Sequence, residues 1–125
     1  MEELKTLEEM QNDGMQSTEM PNEEISGLYV HVLKKPVTEI RGDKKVVHKE
    51  LRFDFASLTG KDMVAIDREL QSEGESVFMR AVHPVFLLKV CARAAGVSED
   101  VIQSVTAKEY DKITGQARIF FLRME

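Results

Sequence analysis

The sequence holds a single cysteine, Cys91. One thiol cannot close an internal disulfide, and such usage suits a reducing cytosol. It also excludes zinc sites built from several cysteines. No apolar run approaches the roughly 20 residues needed to cross a bilayer. The opening residues, MEELKTLEEM, are acidic and lack an apolar h-region, so they do not read as a secretory signal. Positive charge is outnumbered, with 17 Lys and Arg against 22 Asp and Glu. The net charge is −5, and residues 1–25 hold eight acidic residues against one lysine, a net −7. The remaining hundred residues carry sixteen basic and fourteen acidic side chains, a net +2. A nucleic-acid binder usually shows a concentrated basic patch, and bulk charge does not promise one here.

What is present fits one modest domain. The chain has 125 residues, 42% hydrophobic and 31% charged, ordinary values for a globular protein with its own core. Residues 1–25 are polar and Glu-rich, with Gly14 and Pro21. Leu4, Leu7 and Met10 show a brief helical spacing, too short to be stable alone. This acidic head reads as disordered, with those three residues, Met15 and Met20 as points through which a partner would order it. Residues 26–125 read as a single domain.

That domain begins with strands. GLYVHVLKKPV alternates Leu28, Val30 and Val32 with Tyr29, His31 and Leu33. KKVVHKELRFDF sets Val47, Leu51, Phe53 and Phe55 among charged residues. Period two marks strands with one buried face. Between them, Gly42-Asp43 suits a tight hairpin turn, because glycine takes the positive φ required. Pro36 removes a ladder donor and puts the first strand at an edge or breaks it there.

The remainder reads as helical. Thr59 and Asp62 form a capping pair opening a helix to about Glu73, with Met63, Ile66 and Leu70 as its apolar stripe and Gly74 as its stop. Pro84 is a first-turn proline, and VFLLKVCARAA is apolar on most faces, which predicts a central helix ending at Gly96. Ser98 then caps a short helix, EDVIQSV. Thr106 and Glu109 form a second capping box, and Tyr110, Ile113, Ala117, Phe120, Phe121 and Met124 form the last stripe. The expected class is α+β, a hairpin followed by a small bundle of about four helices.

Several chemical readings fail on spacing. Gly60-Lys61 resembles the end of a phosphate loop, but Phe55 stands where its first glycine belongs and Asp62 where Ser or Thr belongs. A helix start is the better reading. His31, His48 and His83 lack the close spacing of metal ligands and read as surface residues, with His83 at a helix entry. Cys91 lies mid-helix in an apolar run and reads as buried. Asp54, Asp62 and Asp67 read as solvated. No catalytic residue, metal ligand or cofactor contact is expected. The alternative is a helix-turn-helix over residues 87–105, but its second helix would offer Glu99 and Asp100 to the phosphates, with only Gln103 suited to a base edge.

One feature asks for a partner. On the last helix, Ile119 and Leu122 fall well away from the Tyr110–Phe121 stripe at 100° per residue. A helix apolar on two sides needs something on the second: another protein, a second subunit or the hairpin.

The order of elements resembles the tail assembly chaperones of tailed bacteriophages, especially contractile-tailed ones. The similarity rests on the strand motif Leu33 to Pro36, the strand–helix junction Leu58 to Asp62, the corner Ala92 to Val97 with Ile102, and the helix from Tyr110-Asp111 to Leu122. It covers residues 28–123 and leaves the acidic head outside. The resemblance implies a non-enzymatic protein of the host cytoplasm, absent from the finished virion. It would bind the tape measure protein and bring tail tube subunits to it, with no nucleic acid or membrane partner, and leaves a homo-oligomer open. The residues expected to bind a partner are Ile119, Phe121 and Leu122 at the end of the last helix, with Leu4, Leu7 and Met10 of the head.

Overall fold

A computed structural model describes residues 27–123. The acidic head, with Leu4, Leu7 and Met10, and Met124 of the last stripe lie outside the described residues. The described chain is an α+β fold: strands β1 (Leu28–Arg41) and β2 (Lys44–Asp54), then helices α1 (Gly60–Ser72), α2 (Pro84–Ala95), α3 (Glu99–Gln103) and α4 (Ala107–Arg123). Short 3-10 turns at Phe55–Ser57 and Arg80–Val82 lead into α1 and α2.

The strands form an antiparallel hairpin in which Arg41 pairs with Lys44 across Gly42 and Asp43. Gly42 takes φ 63°, the left-handed value the turn needs. The ladder is interrupted between Val32 and Val37, where Leu33, Lys34, Lys35 and Pro36 oppose Lys49 alone. Pro36 lies within this bulge, where its missing N–H leaves no ladder bond unmade.

The bulge corrects one expectation. Val47 does not share the buried face of Leu51, Phe53 and Phe55; it is 56% exposed. Near the tip, Glu39 pairs with Val46 and Val37 with His48, whereas beyond the bulge His31 pairs with Leu51 and Tyr29 with Phe53. The inward positions of β2 therefore change from even to odd numbers across Lys49. An inserted stretch in one strand reverses the facing of its partner, and the period-two pattern alone gave no sign of it.

The helices pack on the inner face around α2. Phe86, Leu87, Leu88, Lys89, Val90, Cys91 and Ala92 of α2 are all buried. His83 caps it, with its Nδ1 accepting from the Phe86 N–H (3.3 Å). Gly96 ends it at φ 68°, and the Val97 N–H donates to the Ala92 carbonyl (3.0 Å). Burial pushes the Cys91 thiol up to about 12, so it is an inert core group. A run of ring contacts ties hairpin to helices: Tyr29 on Phe53, Phe53 on Phe55, Phe55 on Phe120, Phe120 against Phe121, and Phe121 against Phe86. Such pairs add about 0.5–1.5 kcal/mol each beyond the area they bury.

Gly27 brings the hairpin's open end close to α4. Its φ is 77°, and a Cβ there would lie 2.9 Å from a ring carbon of Phe120 and 3.0 Å from Ala56. Gly27→Ala is therefore expected to destabilise by about 1–3 kcal/mol, from backbone strain plus the clash. Urea unfolding of the full chain measures it, and a change below ~0.5 kcal/mol would mean that the ring moves aside freely.

Candidate partner-binding surface

His31 and His48 are not surface residues. His31 is buried, and His48 keeps only 14% of its side chain exposed. Each holds a buried glutamate. His31 Nε2 donates to Glu109 Oε2 (2.8 Å). Because the carboxylate is acceptor-only, that nitrogen carries the hydrogen, and the Tyr29 hydroxyl donates to Nδ1 (2.8 Å). The Lys34 N–H in the bulge also donates to Glu109 Oε2 (3.1 Å), while the other oxygen accepts from the Thr106 N–H (3.3 Å) and hydroxyl (3.2 Å). The expected capping residue of α4 thus also clasps the hairpin.

Glu39 is the counterpart near the tip. It accepts from His48 Nε2 (2.8 Å), Arg41 Nε (3.0 Å) and the Ser98 N–H (2.9 Å). Ser98 was expected to cap α3 with its own side chain, but that side chain makes no capping bond. The carboxylate from the hairpin takes the terminal N–H instead, where the helix end favours negative charge. Arg41 also donates to the Gly96 carbonyl (2.9 Å). The hydrogen bond from His31 leads the causes that hold Glu109 down to about 2, and that from His48 holds Glu39 down to about 2, each against an opposing push from burial.

Of the aspartates read as solvated, Asp62 caps α1 and takes an ion pair from Arg93 (2.9 Å), and Asp67 pairs with Arg80 (2.6 Å). The Thr59–Asp62 capping box is formed, so Gly60-Lys61 opens a helix. A recess of about 320 Å³ beside the bulge is lined by Lys35, Thr38, Ser104, Thr106 and Glu109, among others. Both oxygens of Glu109 are already occupied by protein donors. Among the described residues no group of three or more His, Cys, Asp or Glu side chains is placed to hold a metal ion. No described helix is long and apolar enough to cross a membrane.

Besides Val64 on α1, the exposed large apolar side chains fall in two places. One is the connector into α2 and the end of α4. Phe78 is 96% exposed, and Met79, Val82 and Leu122 are about half exposed. Val82 and Arg118 line a common recess of about 220 Å³ with Pro84, Leu87, Tyr110 and Thr114. Leu122 lies one turn beyond Arg118 on the same helical face, so it extends this strip. The other place is the outer face of the hairpin, with Val32, Ile40 and Val47.

No family model matches this chain, and neither curated proteins nor solved structures yield a match.

The suggested partner residues divide by position. Leu122 is exposed. Phe121 is partly buried between Phe86 and Phe120. Ile119 is half-buried in a narrow recess with Gly27, Leu28, Tyr29, Phe55, Gln116 and Phe120, so the open end of the hairpin covers the second apolar side of α4 there. Phe78 was missed altogether. Its signal was available: an aromatic residue in a connector between Gly74 and Pro84, with no period to place it in a core.

The helix-turn-helix reading gains nothing from the geometry. The second helix, α3, has five residues, with Val101 and Ile102 buried and Glu99 bonded to Lys89 at 3.0 Å. At 1.5 Å per residue it is only ~7.5 Å long, too short to lie along a groove and present side chains to successive bases.

Proposed function

We propose that this protein is a non-enzymatic tail assembly chaperone of a tailed bacteriophage, acting in the host cytoplasm by covering the tape measure protein before the tube forms around it. The supporting observation is the exposed strip of Phe78, Met79, Val82 and Leu122, together with the order of sequence motifs described above. A tape measure protein is a long helical chain with apolar stripes, and a small domain can cover such a stripe by helix-in-groove contact. A strip of a few side chains suits reversible capture better than a large dry interface would. Tail tube subunits are the second partner in this reading.

The test is co-expression of the full chain with the tape measure protein of the same phage. The complex should co-purify, and Phe78→Ser with Leu122→Ser should abolish it. Those exposed replacements are expected to change folding stability by no more than about 0.5 kcal/mol. Ile119→Ser should instead cost roughly 1–3 kcal/mol, because it removes apolar surface from beneath the hairpin. Failure of the native chain to bind the tape measure protein, or retained binding by the double variant, would refute the reading. Urea midpoints separate lost binding from lost fold.

A further inference from the structure

Charge is divided unevenly along the chain. Residues 28–54, the hairpin, carry seven basic and four acidic residues. Residues 55–123 carry nine of each, and residues 1–26 carry eight acidic and one basic. The hairpin is thus the cationic part of a protein whose first segment is strongly anionic.

Lys34, Lys35, Lys44, Lys45, Lys49 and Arg52 are exposed and make no ion pair among the described residues. Val32, Ile40 and Val47 of the same hairpin face outward and are 70%, 62% and 56% exposed. Ile40 stands directly across from Lys45, Val47 from Thr38 and Val32 from Glu50. The result is an outer apolar band on a hairpin whose exposed charges are net positive.

We propose that this outer face is covered by the chain's own residues 1–26. The segment is joined through Gly27 to β1, which begins at Leu28, so it is tethered at the edge of the face. Twenty-six residues can extend to ~85 Å, whereas the fourteen residues of β1 span only ~46 Å. The segment therefore reaches the hairpin tip with slack. Its composition complements the hairpin, with Leu4, Leu7, Met10, Met15 and Met20 for the apolar band and a net −7 for the hairpin's excess of cations. A short tether supplies an effective concentration on the order of mM, so a weak contact is enough to keep the face covered. Any other ligand of the hairpin's outer face must then displace the head. This inference goes beyond the tape measure reading and does not depend on it.

The test uses the full chain carrying Thr6→Cys with a nitroxide on the new thiol; Cys91 is buried and stays unlabelled. Amide signals of Val32, Ile40 and Val47 should be at least about twofold weaker in the spin-labelled than in the reduced sample, as a contact held by a mM effective concentration requires. Amides of α3 should be unaffected. The effect should fade at ~1 M NaCl, where the Debye length falls to ~3 Å, and in the Lys45→Glu, Lys49→Glu variant, whose circular dichroism should remain native. No broadening on the hairpin would overturn the proposal. So would broadening that survives both salt and charge reversal. Broadening of isotope-labelled chains only when mixed with separate spin-labelled ones would assign the face to a second copy instead.

Discussion

Glu109→Ala should destabilise the protein by about 3–5 kcal/mol. The change removes the capping box of α4, worth about 1 kcal/mol, and strands one buried and one partly buried donor, at about 1–3 kcal/mol each with the second near the lower end. Those donors are His31 Nε2 and the Lys34 N–H, which have Glu109 as their acceptor at 2.8 and 3.1 Å. A loss of this size is a large share of the 5–15 kcal/mol that holds a typical domain together. Glu109→Gln should cost clearly less, because an amide oxygen keeps one acceptor and His31 can change tautomer to meet the amide N–H. Urea unfolding measures both. Equal losses would mean that volume at this position, not its acceptors, is what matters.

The same carboxyl and Glu39 set the acid limit. Both are held near 2 against 4.5 for an ordinary glutamate, with the histidine hydrogen bond as the largest cause in each case. They take up protons less readily when folded than when unfolded, so acid favours the unfolded chain. Their contribution is intact above pH 4.5 and is lost as pH falls from there towards 2. Removing Glu109 should flatten that part of the stability profile.

Lys89→Ala is the second large effect, expected at roughly 2–4 kcal/mol. The ammonium lies 3.1, 2.9 and 3.0 Å from Glu69, Glu73 and Glu99, and its side chain is only 3% exposed. Burial alone would lower its pKa, but the bonds to Glu73, Glu99 and Glu69 outweigh burial, and the net shift is upward. Alanine removes the packed stem, and the carboxylates then repel one another. Because those carboxylates are 39–47% exposed, water recovers part of the loss, which keeps the cost near the lower end of that for breaking a buried pair. Lys89→Met restores the stem and isolates the charge. Crowded carboxylates without their cation bind protons more tightly when folded, so the methionine variant should regain stability as pH falls from 7 towards 5. A variant whose deficit is independent of pH over that range would contradict this account.

The strip and the band also show why site residues were hard to read from the chain. Leu122 was identified because it broke a helical stripe. Ile119 broke the same stripe equally, yet it faces the hairpin's open end, where Gly27 leaves room for Phe120. Which of two equally apolar side chains is covered depends on an element 90 residues away in sequence. His31 and His48 were misplaced for a related reason. A histidine on a strand looks solvated until the glutamate that faces it is known: His31 meets Glu109 on a helix 78 residues on, and His48 meets Glu39 on the paired strand.

By itself the sequence determined the parts whose causes are local. These are the Gly42-Asp43 turn, the capping boxes at Thr59 and Thr106, the Pro84 helix start, the Gly96 stop and the apolar run that makes α2 central. Each depends on side chains and backbone within about one turn of one another. Only the tertiary structure decided which face of each strand turns inward. Both faces of β1 are apolar near its start, and the bulge at Leu33 to Pro36 reverses the facing of β2. That choice is made by where the helices dock, clasped by Glu109 of α4 and Glu39 of β1, through contacts whose energies come from burial and long-range pairing that no short window of sequence contains.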